Sequence, residues 1–185
     1  MKCAICQRED LALTREHVFA RWLTQRVGSA GPRRAIATVC GECNAGWMST
    51  LEQSFRRAAF TRPRTGPIPA PDRATIARWS IKTALLLADA NGVTLVEPAV
   101  RSALQRVVPD GFEVFIARRR RSPAKLDYDV DSERDLVRSV AVHVDDVTLT
   151  VAPTGALTSR AGTRLWPIRR QLLRWDTLPV LDAAT

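Results

Sequence analysis

The sequence predicts an α+β protein in two parts, a small metal-stapled N-terminal unit followed by two helices packed on an antiparallel sheet. Three observations carry that expectation. All four cysteines stand in two early pairs, Cys3/Cys6 and Cys40/Cys43, with two residues between the members of each pair. Four prolines, Pro63, Pro67, Pro69 and Pro71, crowd one short stretch. From Phe112 onward the apolar residues recur with a period of two, where the preceding stretch repeats at helical spacing. The expected division is residues 1–62 for the N-terminal unit, 63–71 for a semi-rigid Pro-rich linker and 72–185 for the α+β C-terminal region.

The cysteine spacing is that of a zinc site. Two residues between thiolates let one tight turn present both sulfurs to one ion, and a second such turn closes a tetrahedron. Cys3, Cys6, Cys40 and Cys43 are therefore the expected ligands of one structural Zn²⁺. Two disulfides, or a redox Cys-x-x-Cys, are the competing readings. No export signal stands at the N-terminus, which points to a reducing cytoplasm, and two redox motifs in one small unit would be unusual.

The elements follow in order. Leu11 to Thr14 reads as a short strand leading into Glu16-His17, with a helix around residues 18–26. A Gly/Pro loop carries Arg33-Arg34, either a phosphate contact or a solvated tip. Ala35 to Val39 is a second strand entering the second cysteine turn. Asn44 then opens a helix to about Phe60, on which Trp47, Leu51 and Phe55 share a core-facing side. Arg56-Arg57 near its end complement the helix dipole, with DNA contact as the alternative role.

After the linker, Asp72 caps a helix to Ala90 that is apolar on most of its surface. A further helix runs from Pro98 to about Val108, and Phe112 to Arg118 is a strand ending in the basic run Arg118 to Arg121. Lys125 to Asp135 reads as an exposed acidic loop. Its Asp127, Asp129 and Asp131 mimic the start of a calcium loop, but the glycine and glutamate such a loop needs are missing. Val140 to Val144 and Val147 to Val151 form a hairpin turned at Asp145-Asp146, with His143 as a surface strand residue. Leu165 to Ile168 and Gln171 to Trp175 are read as a second strand pair.

The chain of 185 residues carries a net charge of +9, nearly all of its cations being arginine, with lysine only at Lys2, Lys82 and Lys125. The charge favours a polyanionic partner, since each phosphate neutralised releases counterions. A GC-rich genome is the other source of an arginine excess. No apolar run approaches the roughly 20 residues of a membrane helix, so no membrane partner is expected.

The two cysteine pairs bracket further chemistry. Leu13-Thr14-Arg15-Glu16-His17 lies between them, Asn44 directly follows the last cysteine, and Gly46-Trp47-Met48-Ser49 runs on to Leu51-Glu52. Over the first third of the chain this arrangement resembles the HNH endonucleases of the ββα-metal (His-Me finger) superfamily. It is closest to a subgroup patterned Cys-x-x-Cys, Leu-Thr-x-Glu-His, Cys-x-x-Cys-Asn and Gly-Trp-Met-Ser-x-Leu-Glu. Beyond it, only Trp79-Ser-Ile-Lys82 and Leu165-Trp166-Pro167 carry a looser likeness. The resemblance implies a zinc-stapled ββα-metal unit and an enzyme hydrolysing DNA phosphodiester bonds with a divalent ion.

The residue types suit that chemistry. A neutral imidazole is a suitable general base at cellular pH, and His17 is one of only two histidines. Glu16 and Asn44 offer a carboxylate and an amide oxygen to Mg²⁺ or Mn²⁺, leaving positions for water and phosphate. Glu16 could instead pair with Arg15 or Arg21, and Asn44 could spend the same oxygen capping its helix. Glu52 lies about 12 Å farther along an unbroken helix than Asn44, and about 80° around it. It is therefore given a supporting role, an ion pair with an arginine or a hydrogen bond near His17. HNH enzymes usually hold the histidine with an Asn placed before the second cysteine pair. None stands between His17 and Cys40, so another group, such as a backbone carbonyl or Glu52, must orient His17, or activity is weak. The alternative function is a zinc-stabilised nucleic-acid-binding protein with weak or no catalysis.

Overall fold

In a computed structural model, the chain opens with the first cysteine turn and two antiparallel strands, β1 (Leu13–His17) and β2 (Ile36–Cys40), registered from Leu13↔Cys40 to His17↔Ile36. The structure describes residues 1–27, 35–61, 63–95, 98–120, 126–133, 136–156, 162–168 and 171–181. The pair Arg33-Arg34 and the last residue of the basic run, Arg121, lie outside them. Glu16-His17 therefore end β1 rather than follow it. Between the strands, α1 (Arg21–Val27) buries Leu23 and Val27, at the apolar spacing of its sequence.

The helix after the second cysteine pair departs from the expected one. It begins at Glu42 as a wide π-helical turn (Glu42–Met48) and leaves helical geometry at Gly46 (φ −87°, ψ −116°). It resumes as α2 (Ser49–Arg56) and loosens again over Arg57–Thr61. Gly41 holds the capping position with no side-chain cap, so Asn44 is not the N-cap. Leu51 and Phe55 are buried, and Trp47 packs half-buried against the core.

The Pro-rich stretch leads directly into α3 (Ala70–Ala90), which starts from Pro69. Asp72 lies within its first turn rather than capping it, where its charge still suits the helix dipole. Almost every residue from Ile76 to Ala88 is buried. A helix apolar all round must be covered on all sides. Here α2 and β2 pack on it, as do strands of the main sheet. Trp79 of α3 stacks on Phe55 of α2, and the buried apolar residues before and after the Pro-rich stretch form one continuous cluster. The next helix, α4 (Pro98–Ala103), is shorter than expected.

The main sheet comprises β3 (Phe112–Arg119), β4 (Leu126–Glu133), β5 (Leu136–Val144), β6 (Val147–Pro153), β7 (Thr163–Trp166) and β8 (Val180–Leu181). Its order is β4-β5-β6-β3-β7, antiparallel throughout that path, with β8 added parallel to β3. The β5–β6 hairpin turns at Asp145-Asp146 as expected, and Asp145 adopts a positive φ of 58°. Two expectations fail. The acidic stretch after Lys125 is the edge strand β4, with Asp127, Asp129 and Asp131 exposed and Tyr128 and Val130 half-buried. An edge strand with charge on its outer side resists pairing with other chains. The second failure is the strand pair of residues 165–175. β7 pairs with β3 instead, and Arg174 forms an isolated bridge with Pro67.

The secondary structure is thus mixed α+β with antiparallel sheets. Among the described residues no helix is long and apolar enough to cross a membrane.

Candidate functional site

The two cysteine turns meet. The sulfurs of Cys3, Cys6, Cys40 and Cys43 all lie within 4.8 Å of one another, and none is in a disulfide. Cys6 Sγ is 3.7 Å from Cys40 Sγ. A tetrahedral ion with metal–sulfur bonds of about 2.3 Å needs sulfurs about 3.8 Å apart. The four cysteines are positioned to bind a metal ion.

Their surroundings suit that role. The Cys40 amide donates to Cys3 Sγ at 3.3 Å, and Gln105 Nε2 lies 3.7 Å from Cys43 Sγ. Outer partners of this kind orient ligands and tune their basicity. The hydrogen bond with Cys43 draws the Cys3 thiol down to about 4, against the effect of burial, while the same bond pushes Cys43 up. The thiolate is the ligand form of cysteine. Arg8 bonds Glu42 at 3.1 Å, tying the first cysteine turn to the second, and Arg101 after the linker donates to the Ala4 carbonyl at 2.9 Å.

Beside this cluster lies a cleft of about 650 Å³. Glu16, His17, Asn44 and Glu52 all line it, so the fold brings together the four residues singled out in the sequence. Arg15, Arg21 and Arg56 stand exposed around it, and Lys82 of α3 closes one wall. The Arg56 guanidinium sits 5.7 Å above the Trp22 ring. A cleft holding two carboxylates, one imidazole and four cationic side chains can take an anion and a hard cation at once.

The alternatives for Glu16 and Asn44 resolve differently from what local sequence allows. Among the described residues Glu16 has no ion pair, so neither Arg15 nor Arg21 neutralises it. Asn44 Nδ2 lies 3.4 Å from Thr14 Oγ1, itself a donor to the Val39 carbonyl. The amide nitrogen is thus engaged with β1, and the amide oxygen is not spent on a helix cap. Thr14 and Glu16 share one face of β1, because alternate residues of a strand point the same way.

Glu52 does not take the partners expected of it. Its Oε1 accepts from Trp79 Nε1 at 2.8 Å and from Lys82 Nζ at 2.5 Å. The partner cation is a lysine of α3, not an arginine, and the His17 imidazole has no hydrogen bond among the described residues. Lys82, noted in the sequence within Trp79-Ser-Ile-Lys82, was given no place in the site, though a signal was present. A lysine in the middle of a nearly all-apolar helix has to find a buried counter-charge. His143 lies outside the cleft. It stands half-buried on the face of β5 opposite the buried Val140, Val142 and Val144, as expected, and is held there by Asp129 at 2.8 Å and Thr148 at 2.9 Å.

Compared with protein-family models, curated proteins and solved structures, the chain finds no match.

Proposed function

We propose that the chain is an HNH-type endonuclease that hydrolyses DNA phosphodiester bonds with a divalent ion, on a ββα-metal unit stapled by one structural Zn²⁺. The observation that carries the reading is the single cleft walled by Glu16, His17 and Asn44 and surrounded by arginines. The strand–strand–helix order around the four cysteines supports it, as does the net charge of +9.

In this reading the four cysteines take no part in the chemistry. Four thiolates close a zinc site and leave it no open position for water or phosphate. Their work is to fix the end of β2 and the start of the following helix, and so to place Asn44 against β1. Glu16 and Asn44 would hold Mg²⁺ or Mn²⁺ through oxygen, the ligand such hard ions prefer. When bound, that ion stabilises charge at the scissile phosphate and on the leaving 3′ oxygen. His17 takes the proton of the attacking water as general base. Arg15, Arg21 and Arg56 bind the flanking phosphates, for which the guanidinium fork is suited.

A second reading keeps the DNA and drops the catalysis. It is favoured by one observation, that among the described residues no side chain holds His17 in a working orientation. Incubation with supercoiled plasmid, with and without Mg²⁺ or Mn²⁺, separates the two. Metal-dependent nicking supports the nuclease. Binding that weakens steeply with salt, without nicking under any metal, supports the binding protein.

A further inference from the structure

The two carboxylate oxygens of Glu52 are in unlike states. Oε1 receives two hydrogen bonds, from Trp79 Nε1 and Lys82 Nζ. Oε2 is buried and, among the described residues, has no hydrogen-bond partner. A buried polar atom left unpaired costs about 1–3 kcal/mol, more when it carries charge, and folded proteins rarely leave one without a reason. The orientation is firmly set. Trp79 is fully buried and stacked on Phe55, and the Lys82 side chain is 2% exposed, so neither donor is free to swing away. Glu52 therefore presents a fixed, unsatisfied acceptor. The rest of its side chain is 15% exposed and walls the same cleft as Glu16 and Asn44.

We infer that Glu52 Oε2 is a third protein ligand of the divalent ion in that cleft, beside Glu16 and the amide oxygen of Asn44; the inference rests on the reading above that the cleft holds such an ion. The separation that argued against it belongs to an unbroken helix. The segment between the two residues leaves helical geometry at Gly46, and both side chains face one cleft. Three oxygens lining one cleft suit an octahedral hard cation and leave positions for water and phosphate oxygens. Lys82 and Trp79 are positioning residues in this arrangement. By occupying Oε1 they leave Oε2 as the only oxygen Glu52 can offer. Lys82 also offsets one of the two carboxylate charges in the cleft.

The test uses the wild-type protein and two variants. Crystals soaked in Mn²⁺ are measured at an energy where manganese scatters anomalously, and Mn²⁺ binding to the zinc-loaded protein is followed in solution by electron paramagnetic resonance. The expected result is one manganese bonded to Glu16, Asn44 and Glu52, with Glu52→Gln weakening Mn²⁺ binding at least tenfold at unchanged zinc content. Manganese bonded to Glu16 and Asn44 but not Glu52, or a Glu52→Gln affinity within twofold of wild type, overturns the inference and leaves the proposed nuclease standing. No manganese in the cleft overturns both. Should Glu52→Gln fail to fold because Lys82 loses its counter-charge, the double variant Glu52→Gln/Lys82→Met removes both charges of the buried pair and is judged by the same tenfold and twofold limits. The crystal measurement needs no variant at all.

Discussion

Phe55 of α2 lies flat against Trp79 of α3, with ring centroids 3.7 Å apart and planes within 3° of parallel. One ring precedes the Pro-rich stretch and the other follows it, yet both are almost fully buried. This contact between the N-terminal unit and the rest of the chain also backs Glu52, because the same Trp79 donates to its carboxylate.

Phe55→Ala should therefore destabilise the whole chain by about 3–5 kcal/mol, the usual cost of emptying a buried aromatic site. Urea unfolding followed by tryptophan fluorescence and by far-UV circular dichroism should show one shifted transition by both probes. A transition confined to one half, with the other unmoved, would show that the two halves do not share a core.

The four-cysteine site predicts about one zinc per chain by elemental analysis, and loss of the N-terminal unit's structure, with destabilisation of the rest of the chain through the shared core, when a strong chelator removes it. A unit of that size draws much of its folding free energy from metal binding. Cys40→Ser should lose the metal and the unit's structure together. Intact disulfides in protein purified without oxidant, or full folding after chelation, would contradict the assignment.

Asp146, in the β5–β6 turn, supplies a pH test. Burial pushes its carboxyl up, but the hydrogen bond from Arg118 at 2.5 Å and the charge of Arg64 outweigh it and hold the group below its ordinary value. A carboxylate depressed on folding adds stability that is complete above its unfolded pKa, about 3.9, and is lost as pH falls through the folded value. Asp146→Asn should cost about 2 kcal/mol at pH 7. The gap between variant and wild type should close below about pH 4, and a gap independent of pH down to 2 would rule out the ion pair as its source.

The parts of the fold that could be read from sequence are those set by local pattern. Two residues between cysteines, alternation from Val140 to Val151 and the apolar run around Leu85 each specify their own structure. Elements set by distant partners were hidden. Strand β4 alternates Tyr128 and Val130 with aspartates, but its charge density reads as loop until β5 is known to lie beside it. Residues 171–175 look like a strand, and only the fold shows that Arg174 bridges the Pro-rich stretch at Pro67. Within the candidate site, the motif residues stood out by spacing. Lys82 stood out as a lysine in an apolar helix, but its pairing with Glu52 depends on how α3 packs, and the break at Gly46 leaves no periodic trace.

Glu16→Ala and Asn44→Ala should each raise the Mg²⁺ concentration needed for cleavage, and the double variant should be little worse than the worse single one, since both serve one ion. Asn44→Asp keeps an oxygen and adds charge, so it should retain metal-dependent cleavage where Asn44→Ala retains almost none. Unchanged metal dependence in both single alanine variants would remove the ion from Glu16 and Asn44 and favour the binding-protein reading.

The most direct measurement is the rate of plasmid nicking by wild type and by His17→Ala, in Mg²⁺ or Mn²⁺, with zinc content and DNA affinity measured on the same samples. A general base acts in the chemical step, so the account predicts metal-dependent nicking by wild type and a loss of about 10²–10⁴-fold in the variant. Zinc content and DNA affinity should stay near wild type. Nicking at the wild-type rate by His17→Ala, or loss of its zinc, would contradict the assignment of His17 as the base.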